Sequence, residues 1–243
     1  MLALWNTIFY EPIYNALIFI VNSITFGDVG FAIIILTIVV KLLLAPLTRK
    51  SIKSQILMKR IEPELRQLKK DYPKKEEQAK KTFELYKKYD VNPFSGCLVI
   101  LLQLPVIFAL YYVFYKGISI EGPLYAFINS PLSFNTNFLG LIDIYGKSIV
   151  LALLAGITQF IQGYLATPMK GKTEVVKGVN EPKTFQDQLS DSMQLNIRYI
   201  LPIFVAVISY QISAAVALYW VVSNIFTIAQ EWYIRRALAK NSI

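Results

Sequence analysis

Histidine is absent from the 243 residues, and cysteine occurs once, at Cys97. The first absence excludes Ser-His-Asp and Cys-His catalysis together with histidine-based metal sites, and the second excludes an internal disulfide. Lysine and arginine are missing from residues 1–40. With no basic start and no small-residue cleavage site before the first apolar stretch, no removable signal peptide is expected. There is no phosphate-binding glycine loop, so neither a nucleotide nor any other cofactor is expected. No Gly/Ser-rich linker and no fixed-period repeat divides the chain. Charge is scarce as well, at 17% of residues against 55% hydrophobic and 14% aromatic, with a mean hydropathy of +0.45. Apolar residues at this level, gathered in blocks of membrane length, describe an all-α polytopic membrane protein rather than a soluble core.

Five segments are long enough to cross a bilayer, which takes about 20 helical residues. They are 29–47, 94–115, 148–166, 193–212 and 213–233. The last two are joined by almost nothing around Gln211–Ser213, so they should form a tight antiparallel pair. Asp28 is placed to cap the first of them. Residues 1–28 form a segment of their own, in which Thr7, Glu11, Asn15 and Asn22 fall on one helical face. They read as an amphipathic helix in the outer interface, anchored by Trp5, Phe9 and Tyr10; a sixth span is the alternative. Lysine and arginine then set the orientation. Segment 47–92 carries 14 of them, 167–198 carries 5 and the tail from 231 carries 3, whereas 116–147 carries 2. The positive-inside rule puts the first three in the cytoplasm, the N-terminus outside and 116–147 outside.

Residues 49–90 read as a cytoplasmic hairpin of two helices broken at Tyr72-Pro73. Ile52, Ile56, Ile61, Leu65 and Leu68 form the apolar stripe of one, and Ala79, Phe83, Tyr86 and Tyr89 that of the other. Arg49, Lys50, Lys53, Lys59, Arg60, Arg66, Lys69 and Lys70 lie on its first arm. Two readings stay open: a solvated face on anionic lipid, or a platform for an acidic or RNA-bearing partner such as a ribosome or a targeting particle. Nothing in it suggests sequence-specific nucleic-acid binding.

Lys41 is the lone charge in the run GFAIIILTIVVKLLLAPL, Gly30 to Leu47. A cation there costs about 2.5–3.5 kcal/mol on insertion scales unless water or a partner meets it. By the assigned orientation it falls in the inner half of its span. Gln103, Gln159, Gln162, Asn224, Thr227 and Gln230 fall at similar depth on other spans, and the outer halves are nearly free of such groups. Snorkelling and interhelical hydrogen bonding account for any one of them. For the set, a water-filled cavity open to the cytoplasm and closed outside is the preferred reading. A blind cavity suits a protein that takes a polar segment partway into the membrane. A channel or transporter would carry polar groups through the full depth, and an intramembrane enzyme would need paired catalytic groups. Pro105 and Pro202, read as mid-span, are candidates for loosening their helices.

The stretch VNPFSGCLVILLQLPVIFALYYVFY, Val91 to Tyr115, closely resembles the second core helix of YidC-type membrane protein insertases. VVKLLLAPLTRKS, in which Lys41 precedes Pro46, and ALYWVVSNIFTIAQEW, Ala217 to Trp232, resemble the first and last core helices. The resemblance runs from about Trp5 to Arg236 and is to the short form, without a large outer domain; mitochondrial and chloroplast insertases are related. It implies a five-helix core with a hydrophilic groove that accepts the polar tail of a nascent membrane protein, in a bacterial-type inner (plasma) membrane. It implies that Lys41, where the family usually has arginine, attracts that tail, and that Gln103, Gln159, Trp220 and Asn224 line or border the groove. It implies no enzymatic chemistry. Nascent membrane proteins are the implied substrates, with membrane lipids and a ribosome, targeting particle or translocation channel as further partners. A chaperone acting beside a translocation channel is the alternative within the same family.

Overall fold

The computed structural model describes residues 2–92, 95–118, 122–129, 133–166 and 195–240. The expected second cytoplasmic loop, 167–192, lies outside the described residues, as do the side chains of Lys59 and Lys69. In chain order the helices are α1 (Leu2–Trp5), α2 (Glu11–Ser23), α3 (Val29–Arg60), α4 (Glu62–Asp71), α5 (Lys75–Lys88) and α6 (Ser95–Lys116). A two-stranded hairpin follows, β1 (Asn137–Phe138) and β2 (Ile142–Asp143), then α7 (Ile149–Ala166), α8 (Leu201–Gln211) and α9 (Ala214–Lys240). Two π turns, Asn6–Tyr10 and Asn196–Ile200, lead into α2 and α8. Each precedes a proline in the first turn of the helix that follows, Pro12 and Pro202. Pro202 follows its π turn inside a continuous helical run from Leu195 to Gln211, and the widened turn before it accommodates the missing N–H. Pro105 does lie inside α6.

The chain divides into two compact units, Met1–Val39 with Ala109–Ala229 and Val40–Phe108 with Gln230–Ile243. In the first, α7 packs along α8. Apart from Leu151, its buried face is small or polar, Ala152, Ala155, Gly156, Thr158, Gln159 and Gly163, while Val150, Leu153, Ile157 and Phe160 are exposed. That inversion of the soluble pattern is what lipid as solvent selects: small residues let backbones approach, and large apolar ones face outward. A Cβ on Gly156 would lie 2.9 Å from Ala206 Cβ, and one on Gly163 2.9 Å from the Ile197 carbonyl oxygen.

The N-terminal segment belongs to this unit. Asn15, read from sequence as part of a wet face, is buried. Its Nδ2 donates to the carbonyls of Glu11 and Pro123 at 2.8 Å, and its Oδ1 accepts the Tyr125 N–H at 2.7 Å. Asn22 donates to the Asn129 carbonyl at 2.6 Å. The polar face of α2 thus holds the α6–α7 loop. The same loop caps helices: the N–H groups of Ala214 and Ala215, at the start of α9, donate to the carbonyls of Gly146 and Ile144. Asp28 caps α3 as expected, its Oδ1 accepting the Phe31 N–H at 2.9 Å. The β-hairpin, unforeseen in sequence, turns through Leu139 (φ 55°) and Gly140 (φ 69°), with the Leu141 N–H on the Phe138 carbonyl, a type I′ turn. A non-glycine residue in that conformation costs about 1–2 kcal/mol.

In the second unit the hairpin differs from its sequence reading. The first arm is split: α3 continues through Pro46 to Arg60, and α4 begins after a turn at Ile61. Pro63 forces the interruption, since it has no N–H for the preceding turn and disfavours helical geometry at Glu62. Ile52, Ile61 and Val91 are buried, and Ser54 exchanges hydrogen bonds with the Asn92 backbone at 3.0 Å, which ties the far end of the second arm to α3. Helix α4 packs on α5. The seam of α5 is offset from the expected one, because Phe83 is 64% exposed and Leu85 is half-buried. Among the described residues, α3 (over Val29–Met58) and α7 are the helices long and apolar enough to cross a membrane by length and composition.

Candidate functional site

In the second unit, Lys41 on α3 meets Gln103 on α6: the lysine Nζ donates to Oε1 at 3.3 Å. The two residues are 62 apart in sequence, and the sequence reading had placed both, with five others, at one depth. Gln103 Oε1 accepts that bond, and its Nε2 is buried with no hydrogen-bond partner among the described residues. A buried amide donor left unsatisfied costs about 1–3 kcal/mol. An ammonium and an amide NH₂ side by side make a donor-rich, acceptor-poor site, and a carboxylate or a backbone carbonyl is its chemical complement. One turn on, Gln230 Nε2 donates to the Ala45 carbonyl at 3.3 Å. Around the pair, Leu42, Leu43, Leu101 and Leu104 are exposed and apolar.

In the first unit, Asn224 Nδ2 donates to Thr158 Oγ1 at 3.2 Å, and the Thr158 hydroxyl donates in turn to the Leu154 carbonyl at 2.8 Å. Thr158 escaped the sequence reading because threonine on a helix is ordinarily self-satisfied in just this way. Thr227 donates to the Ser223 carbonyl at 2.8 Å. Gln159, Asn224 and Thr227 are buried, and Gln162 and Trp220 are half-buried. Arg198, counted in sequence only as a cytoplasmic charge, is buried here. Its guanidinium lies 4.1 Å from the Tyr164 ring centre, and Nη2 reaches the Tyr164 carbonyl at 3.4 Å. An arginine's planar cation suits an aromatic face, and the signal that could have found it is Tyr164 at the end of the helix before.

Of the hairpin cations, Arg49, Lys50, Lys53, Arg60, Arg66 and Lys70 are exposed. Arg66 pairs with Glu62 at 2.7 Å, and Lys81 with Glu84 at 2.7 Å. The Lys81 hydrogen bond holds the Glu84 carboxyl below its ordinary range, while a hydrogen bond to Glu64 pushes the Tyr89 phenol up. Such exposed pairs contribute little to stability.

Residues 20–241 match the family described as 60Kd inner membrane protein. Relatives named membrane protein insertase YidC include one from Clostridium tetani, 36% identical over 216 residues, covering 88% of this chain and 84% of the relative. One from Fusobacterium nucleatum is 33% identical over 231 residues, covering 93% and 97%. Another, from Campylobacter jejuni, is 32% identical over 239 residues; it covers 97% of this chain, which spans 39% of that longer relative. Among solved structures, an active YidC insertase with its first transmembrane domain resolved matches with a TM-score of 0.58 and 22% identity. The match covers 94% of this chain and 46% of that one, and it shows a shared helical fold.

Proposed function

The chain belongs to the 60Kd inner membrane protein family, and from that premise we propose that it is an insertase for membrane proteins. The proposed topology has five spans, 29–47, 94–115, 148–166, 193–212 and 213–233, with the N-terminus outside, 1–28 interfacial, and hairpin and C-terminus cytoplasmic. The observation that carries the proposal is the Lys41–Gln103 pair, a cation and an amide donor on apolar helices.

The exposed cations of the hairpin guide the substrate. The substrate's short polar tail then meets Lys41 and the Gln103 amide, which replace part of its hydration in a hydrophilic groove open to the cytoplasm. The tail therefore crosses only the outer part of the bilayer unassisted. Lysine keeps the charge of the arginine usual in the family but not its planar fork, so it meets a carboxylate as a point charge without the bidentate geometry. Gln159, Gln162, Trp220, Asn224 and Thr227 are proposed substrate contacts of the first unit. The substrate's apolar helix passes into lipid, driven by burial of apolar surface at about 25 cal/mol per Å², with no nucleotide spent.

Proteoliposomes test this. A single-span protein with a short polar tail, offered to vesicles holding only this chain, becomes protected from external protease, and empty vesicles leave it digested. Equal protection in both removes the proposal.

A further inference from the structure

The type I′ turn of the β-hairpin is built from the wrong residue. That turn favours asparagine, aspartate or glycine at its first central position, yet Leu139 stands there at φ 55° and is 62% exposed. Leu141, at the other side of the tip, is 86% exposed. Phe26 repeats the pattern in the α2–α3 turn, with φ 50° and 91% exposure. Backbone hydrogen bonds bring these two turns together: the Asn135 N–H donates to the Gly27 carbonyl at 2.8 Å, and the Asn135 carbonyl accepts the Val29 N–H at 3.1 Å. Two strained positions in one neighbourhood, each presenting a large apolar side chain to the outside, mark a surface that something apolar covers.

The structure supplies the depth of that surface. The Phe138 ring meets Phe31 edge-on with centroids 5.4 Å apart, and a Cβ on Gly30 would run into the same ring. The hairpin is thus seated on the first turn of α3, a helix of membrane-crossing length. No charged residue occurs from Asn135 through Ile142, and the nearest carboxylates, Asp28 and Asp143, are taken up by the backbone N–H groups of Phe31 and Tyr145. A soluble partner chosen by charge would find nothing to read there, whereas a lipid boundary needs no charge. We propose that Leu139, Leu141 and Phe26 form an interfacial anchor that sits in the lipid of the leaflet beside the start of α3, fixing the α6–α7 loop to the membrane. The proposal rests on α3 crossing the bilayer but not on the insertase activity, nor on which leaflet is outer.

Nitroxide labels in a Cys97→Ser background test it, placed singly at positions 26, 139 and 141 of the protein in liposomes. Position 38, exposed on α3, and position 137, on the polar strand β1, are the references. Collision with oxygen relative to a water-soluble nickel chelate is read at each. The expected result is a several-fold higher oxygen preference at 139 and 141 than at 137, approaching that at 38. Leu139→Asn, which suits the turn and keeps the hairpin, lowers the oxygen preference of a label at 141, and Leu139→Met does not. Chelate contact at 139 and 141 equal to that at 137, with 38 still in lipid, overturns the anchor alone. Chelate contact at 38 as well overturns the spanning reading of α3 and the anchor with it. Protection at 139 and 141 that appears only at high protein density assigns the surface to a second copy and also overturns the proposal.

Discussion

Asn15 and Gln103 are both amides on apolar helices, one in each unit. Asn15 uses oxygen and nitrogen on backbone groups of the α6–α7 loop, whereas the Gln103 nitrogen, beside Lys41, is buried without a partner among the described residues. The contrast is between these two amides rather than between whole units, since Ser209 Oγ, Ser213 Oγ and Tyr219 Oη in the first unit are also buried without a partner among the described residues. The first is knit by close backbone approach at Gly156 and Gly163, by carbonyls that cap α9, and by Asn224 on Thr158. The second carries a cation in its apolar part and a hairpin whose ion pairs are exposed. The two amides differ in what they can do next: one completed within the protein holds it together, and one left incomplete beside a cation is available to something else.

The contrast breaks most visibly at the first unit's helix contact. Gly163→Leu drives a side chain into the Ile197 backbone, and overpacking against an atom that cannot rotate away reaches the upper end of about 1–3 kcal/mol. The expected outcome is a loss of the folded form in detergent, followed by the thermal midpoint. Asn15→Ala comes next. It leaves the Pro123 carbonyl and the Tyr125 N–H unpaired, each at about 1–3 kcal/mol when water cannot reach it. A lowered midpoint and faster proteolysis of the loop are expected; an unchanged midpoint would mean water replaces the amide.

In the second unit the sign reverses. Lys41→Met removes a cation from an apolar segment, so stability is expected to hold or rise while insertion falls, the opposite of what Asn15→Ala does. A smaller effect is expected at Asn224. A double-mutant cycle of Asn224→Ala with Thr158→Val should return a coupling of about 0.6 kcal/mol, the average for hydrogen bonds between membrane helices. The smallest effect belongs to the hairpin. Because the Glu84 carboxyl is held below its ordinary range, its pairing with Lys81 helps folding above that range and is lost as pH falls through the lowered value. Because water reaches about half of each side chain, Lys81→Ala should leave the midpoint at pH 7 unchanged within error and remove only a faint acid dependence.

The sequence made some elements legible and hid others for definite reasons. The Asp28 cap and the tight joint after Gln211 were readable because each depends on neighbours in the chain. The continuation of α3 to Arg60 was not, since hydropathy reports where a membrane ends and not where a helix does. The β-hairpin was hidden because Leu139-Gly140 lacks the asparagine that announces a type I′ turn. Asn15 and Arg198 were misjudged because their partners lie 108 and 34 residues away. Depth reasoning placed Lys41 and Gln103 in one set with five other polar residues, as equal depth on two spans is a necessary condition for contact, but it did not single out the pair. It did not anticipate Thr158 beneath Asn224.

The account turns on Lys41, and insertion of a single-span protein into proteoliposomes tests it most directly. An acidic-tailed and a neutral-tailed form of the same substrate are compared across wild type, Lys41→Arg, Lys41→Ala and Lys41→Glu. The account predicts that arginine supports the acidic tail, that alanine and glutamate fail it in that order, and that the neutral tail is affected far less. Insertion of the acidic tail by Lys41→Glu at the wild-type level would contradict it, leaving Lys41 a snorkelling side chain with no part in receiving the substrate.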